Sequence, residues 1–144
     1  MNRKYTLNDY RKIINKIKNT IPQATIFTDI IVGFPGETDE QFENTRKAME
    51  EFKFNMAYIA RYSPRPGAIS SKWKDDISYN IKTTRLEILT NELTKHTIEY
   101  NKSLIGKTFR TLVTGKDRKD GYLSGITEGK IILRFKSDNI NLIG

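Results

Sequence analysis

The chain has 144 residues, 37% of them hydrophobic and 29% charged, with a formal net charge of +8 and no cysteine. That length suits one domain, or part of a domain with a small module, and the lack of thiols excludes disulfides and any cysteine-held zinc or iron–sulfur centre inside the chain. Asn2, Arg3 and Lys4 open a polar segment unlike a signal peptide, and no apolar run approaches the ~20 residues that span a bilayer, so no membrane partner and a cytoplasmic location are expected.

In chain order, Thr6 and Asp9 frame the start of a helix over 7–19, with Tyr10, Ile13, Ile14 and Ile17 on its apolar face. Ile21-Pro22 ends it. Residues 24–32, closing on Ile30-Ile31-Val32, read as a parallel strand buried on both faces. Gly33-Phe34-Pro35-Gly36-Glu37 breaks that strand. Thr38 and Gln41 then begin a second helix, with Phe42, Thr45, Met49 and Phe52 inward. A second strand over 56–61 runs into Tyr62-Ser63-Pro64-Arg65-Pro66-Gly67. After an irregular stretch around Trp73, Ser78 caps a long helix over 79–101, with Ile81, Ile88, Leu89, Glu92, Leu93 and His96 along one side. His96 is the only histidine, so a histidine metal site or a Ser-His-Asp triad has little to build from, and the residue is expected to be solvated or to pack within the helix.

This alternation predicts βαβ connectivity and two parallel strands. Two such strands cannot close a barrel, so this half reads as a fragment of a larger β/α sheet or barrel. From Lys107 the pattern turns strand-like. Strands are expected over 108–114, 122–127 and 130–136, with a turn at Asp117-Arg118-Lys119-Asp120-Gly121 and a hairpin at Glu128-Gly129. In the third, Ile131, Leu133 and Phe135 point inward while Lys130, Ile132, Arg134 and Lys136 point outward, and a last strand is expected near Ile140. Short antiparallel strands at this spacing argue for a small β-barrel. The fold class is thus α/β plus all-β, with one domain over 1–102 and a second over 103–144.

The surplus of positive charge favours a polyanionic partner, nucleic acid first, although a merely lysine-rich composition gives the same number. Residues 1–102 carry 17 basic and 13 acidic side chains and residues 103–144 carry 8 and 4, so the same excess sits on a much shorter module. In the first half, parallel β/α folds gather function at the C-terminal ends of their strands, where the two unusual loops lie. A bare turn is the simpler reading of Gly33-Phe34-Pro35-Gly36. The prolines flanking Arg65 would present a guanidinium rigidly to phosphate or carboxylate, or would serve only as a surface connector.

Residues 28–38, Thr-Asp-Ile-Ile-Val-Gly-Phe-Pro-Gly-Glu-Thr, and the segment Tyr62-Ser63-Pro64-Arg65-Pro66-Gly67 resemble paired signatures of the MiaB-type tRNA methylthiotransferases, which are radical S-adenosylmethionine (SAM) enzymes. Met1 to Thr6 resembles a string internal to that family, and the segment from Asn101 to Val113 is similar to the entry into its TRAM domain, a small RNA-binding β-barrel. The resemblance covers essentially the whole chain. It implies the C-terminal part of a radical SAM, TIM-like partial β/α barrel, followed by an antiparallel, OB-like TRAM barrel.

It also implies an activity: methylthiolation of carbon 2 of N6-isopentenyladenosine beside the tRNA anticodon, using SAM cleaved to a radical by one 4Fe-4S cluster, with a second cluster in sulfur delivery. The implied partner is the anticodon stem-loop of tRNA, bound by an enzyme that is a monomer if full length. Arg65 points to the tRNA branch. Methylthiolation of threonylcarbamoyladenosine is the alternative, and a non-catalytic RNA-binding module or a structural remnant are others. The family's cluster cysteines are absent, so no catalytic and no metal residue is assigned. The start at a methionine internal to relatives, and the end before the last TRAM strands, lead to the expectation of a truncated product that is inactive alone.

Carried over by motif, Asp29, Ile31, Gly33, Gly36 and Glu37 lie near the SAM adenosyl group, and Tyr62, Ser63 and Arg65 lie close to SAM or the substrate nucleoside. Ala68 stands where the family has threonine, which removes any hydroxyl contact there. For RNA, the expected contacts are Lys107, Arg110, Lys116, Arg118, Lys119, Lys130, Arg134 and Lys136, with Tyr122 or Phe135 available to stack a base.

Overall fold

The computed structural model describes residues 4–144, so the Met1-Asn2-Arg3 portion of the opening string lies outside the described residues. The chain divides into two compact units, the first ending at Ser103 and the second spanning Leu104–Gly144.

The first unit runs α1 (Leu7–Thr20), β1 (Phe27–Val32), α2 (Asp39–Phe52), β2 (Met56–Arg61) and α3 (Tyr79–Ser103). Both capping boxes form. The Thr6 hydroxyl accepts from the Asp9 amide and the Asp9 carboxylate from the Thr6 amide, and Thr38 and Gln41 reciprocate in the same way. These bonds satisfy amides that a helix start leaves unpaired, so Thr38→Ala is expected to lower stability by about 1 kcal/mol in urea unfolding, against little change for Thr38→Ser.

β1 and β2 pair in parallel, from Phe27 opposite Met56 to Val32 opposite Arg61. The core lies on one face of this sheet: Val32 and Ala57 pack with Ile14, Phe42, Met49, Phe52, Phe54 and Leu89. The expectation of a strand buried on both faces is therefore corrected. Phe27, Asp29 and Ile31 alternate outward and are exposed, as are Met56, Tyr58 and Ala60 beside them. The strand also starts later than expected, because Ala24 closes a turn onto Ile21 and the Ile26 amide donates to the Asn55 side chain.

Most of the expected inward positions of α1 and α3 are buried or half-buried, and three isoleucines are the exceptions. In α1 the buried position is Ile14 and Ile13 is exposed. In α3 Ile81 and Ile88 are exposed, while Lys82, Arg85, Leu89 and Glu92 form the buried stripe. His96 continues that stripe with its side chain 9% exposed, so of the two expectations packing holds and solvation does not. Its Nε2 lies 2.9 Å from Glu92 Oε1, in a geometry that makes no hydrogen bond.

The second unit is an antiparallel sheet in the order β3 (Thr111–Lys116), β4 (Tyr122–Thr127), β5 (Ile132–Lys136). The sheet is not closed. β3 begins later than expected, at the pairing of Thr111 with Thr127, and its register shifts between Val113 and Gly115. The expected last strand is instead a 3-10 turn, Ile140–Leu142, because the Asn139 side chain accepts from the Asn141 amide. Ile143 then makes a single parallel bridge to Val113.

Candidate functional site

Parallel pairing brings the ends of β1 and β2 to one edge, and the two loops meet there. The Tyr62 amide donates to the Val32 carbonyl at 2.8 Å, and the Phe34 ring meets Tyr62 edge-on at 5.1 Å. Trp73 closes on the other side of Phe34, with ring centroids 5.6 Å apart. Gly33 and Gly36 both take positive φ, 68° and 79°, which suits glycine. Gly33 is also a point of close approach, since a Cβ there would lie 2.3 Å from Lys82 Cγ.

Of the residues assigned to SAM, Asp29 and Ile31 lie on the open face of the sheet. Gly33 and Tyr62 are buried, Glu37 is half-buried, and Gly36, Ser63 and Arg65 are exposed in the loops. Glu37 has a structural duty: its Oε2 accepts from the Gly33 amide at 2.7 Å and from Arg85 at 2.6 Å. The Tyr62 hydroxyl donates to the Ser70 carbonyl at 2.9 Å. Ser63, Arg61, Tyr79 and Lys82 line a cleft of ≈ 580 Å³ beside β2. Arg61 lies over the Tyr79 ring at 4.5 Å.

Sequence reasoning missed Lys82, Arg85, Asp75 and Asp76, which hold these loops from beneath. The available signal was a pair of cations three residues apart, on the first turns of the helix that follows the second loop. No cysteine occurs in the chain, and the described residues contain no group of three His, Asp or Glu side chains able to hold a metal ion. This chain therefore offers no ligand set for an iron–sulfur cluster.

In the second unit the basic side chains divide by partner. Arg134 pairs with Asp117 at 2.7 Å, Arg110 stands 3.8 Å from Glu128, and the Lys119 ammonium caps the Tyr122 ring at 4.3 Å. Among the described residues Lys107, Lys116, Arg118, Lys130 and Lys136 are exposed without an acidic partner. The pairings of β4 with β5 set Tyr122 opposite Lys136, Ser124 opposite Arg134 and Ile126 opposite Ile132. These residues share one face with Leu112, which pairs with Ile126. Phe135 alternates to the other face, with buried Leu123 opposite it, so Tyr122 is the aromatic on the basic face.

Asp117 anchors that face. Its carboxylate accepts from the Ser124 hydroxyl, the Lys119 amide and the Arg134 guanidinium, which together hold its pKa down at about 2. A carboxylate whose folded pKa is depressed stabilises above its unfolded pKa, and that contribution disappears as pH falls through the folded value. The stability difference between the parent and Asp117→Asn is therefore expected to be constant above about pH 5 and to shrink from about pH 4 toward 2, as followed by urea unfolding at each pH.

No family model matches the chain. It is 40% identical to the tRNA-2-methylthio-N(6)-dimethylallyladenosine synthase of Pseudomonas paraeruginosa, across 100% of this chain and 32% of that protein. Against the synthase of the same name from Oceanobacillus iheyensis it is 43% identical, across 94% of this chain and 26% of the relative. The one from Pelotomaculum thermopropionicum is 40% identical over 96% and 31%. The chain is thus a homologue of the C-terminal part of tRNA-modifying synthases, and more particularly of those named for 2-methylthio-N(6)-dimethylallyladenosine. It spans between about a quarter and a third of the length of these curated relatives. Among the described residues, no helix is long and apolar enough to cross a membrane.

Proposed function

We propose that this chain is the C-terminal part of a tRNA methylthiotransferase acting at carbon 2 of N6-isopentenyladenosine beside the anticodon. Residues 1–102 would be the last strands and helices of a radical SAM β/α barrel, and residues 103–144 a TRAM-type RNA-binding module. The observation that carries the proposal is the similarity to named synthases over the whole chain. The meeting of the two signature loops at one sheet edge supports it from the geometry.

SAM is the cofactor this reading requires, and it supplies the radical and the methyl group of the reaction. The residues present fit one wall of its site. The open face of β1 and β2 offers the exposed Asp29 carboxylate beside apolar Ile31, and the loops above it expose Gly36, Ser63 and Arg65. The cluster ligands must come from sequence outside this chain. In the second unit, unpaired Lys116, Arg118, Lys130 and Lys136 would hold tRNA phosphates, and Tyr122, paired with Lys136, would meet a base or sugar beside that lysine. Phosphate contacts of this kind fix orientation and affinity, while the choice of nucleoside falls to the barrel.

A chimera tests this reading. The corresponding C-terminal segment of the Oceanobacillus iheyensis synthase is replaced by these 144 residues and expressed in a strain lacking its own enzyme. Mass spectrometry of tRNA hydrolysates is expected to show the methylthiolated nucleoside. A folded, cluster-loaded chimera that leaves N6-isopentenyladenosine unmodified, yet still binds tRNA, would replace this reading with that of a non-catalytic RNA-binding module.

A further inference from the structure

The two loops at the sheet edge are held by more than their own strands. Lys82 and Arg85 project from the start of α3 with side chains only 7% and 6% exposed. Burying a cation costs several kcal/mol unless it is closely paired and hydrogen-bonded. Both are so paired, and every partner lies in or next to a loop.

Arg85 Nη1 donates to the Glu37 carbonyl at 3.1 Å and to Glu37 Oε2 at 2.6 Å, while Nη2 reaches Asp39 Oδ1 at 2.7 Å. The same Glu37 Oε2 accepts from the Gly33 amide. Arg85 therefore fixes Glu37, and Glu37 fixes the first residue of the loop. Lys82 works from the other side. Its ammonium contacts both oxygens of Asp75 at 2.6 Å, its stem lies against Gly33, and it stands 5.3 Å from the centre of the Tyr62 ring. Asp76, the neighbour of Asp75, accepts from the Gly36 amide at 2.9 Å. Each glycine amide of the first loop thus ends on a carboxylate, one tied to α3 through Arg85 and the other adjacent to the carboxylate that Lys82 holds. Tyr62, the first residue of the second loop, sits under the same ammonium.

We infer that Lys82 and Arg85 are positioning residues that lock the two loops into one rigid wall facing SAM, an inference that rests on the proposed function. Both side chains are spent on loop carboxylates and are almost fully covered. Their removal leaves the chemistry intact and blurs the wall, so it acts on SAM binding more than on turnover. Arg85→Met in the chimera is expected to raise KM for SAM about tenfold or more while kcat stays within about threefold, and Lys82→Met to do the same. Arg85→Lys keeps the charge but not the two-nitrogen fork that spans Glu37 and Asp39, so it is expected to recover part of the loss, which a residue that merely filled space would not do.

A second readout needs no activity. In the 144-residue chain, hydrogen exchange at the Gly33 amide is expected to quicken about tenfold or more in Arg85→Met, relative to core amides such as those of Met49 and Leu89. An unchanged Gly33 amide in both methionine variants overturns the inference, whatever the activity. A parent chimera without methylthiolation would sink the proposed function, while a quickened Gly33 amide would still support the positioning role.

Discussion

Replacing Gly33 by alanine is expected to destabilise the first unit by about 2–4 kcal/mol, the sum of strain at positive φ and a steric overlap. The φ of 68° costs any residue with a Cβ, and that Cβ would lie 2.3 Å from Lys82 Cγ. The lysine cannot simply swing away, because its ammonium is held by both Asp75 oxygens and its side chain is only 7% exposed. Relief must come from the loop or from the ion pair. Urea unfolding of the chain measures the loss. Gly36→Ala is the control: it shares the positive φ but meets nothing within 4 Å, so it is expected to cost only the strain, about 1–2 kcal/mol. Equal losses at the two positions would show that Lys82 does not press on the loop.

The second large effect belongs to RNA. Removing Lys116, Arg118, Lys130 and Lys136 together is expected to weaken tRNA binding about a hundredfold at low salt and to flatten the dependence of log affinity on log salt by about 3. The parent should bind more weakly as salt rises, because each phosphate contact releases condensed counterions. Arg134 and Arg110 are expected to contribute less than their charge suggests. Arg134 already answers Asp117, and Arg110 stands near Glu128. Filter binding with an anticodon stem-loop and with the whole tRNA, at two salt concentrations, checks both the slope and the ranking. Affinity that does not change with salt would remove the phosphate contacts from the account.

Much of the fold could be read directly from local signals. Thr6 with Asp9 and Thr38 with Gln41 are short-range arrangements whose partners lie within one turn, and both form as the sequence suggests. The second strand of the first unit and the middle strand of the second have the expected limits, since turn residues bracket each. The parallel order alone implies that both signature loops lie at one edge, as they do. What could not be read depends on partners far away in sequence. β1 looks like a strand covered on both sides because Ile30, Ile31 and Val32 are all apolar, yet the helices pack on one face and Ile31 is left on the other. Lys82 and Arg85 look like a solvated helix surface, since Asp75, Glu37 and Asp39 reach them only through loop geometry. In the first turns of α3 the roles are exchanged, with Ile81 and Ile88 outside and Lys82 and Arg85 inside, while Leu89 and Glu92 are buried as the pattern suggests.

The most direct measurement is photolabelling of the chimera with a SAM analogue carrying an azide on its adenine, followed by peptide mapping. The account predicts crosslinks within 29–37 and 61–67, suppressed by unlabelled SAM. Crosslinks confined to the portion supplied by the relative, with both of these segments unlabelled, would contradict it.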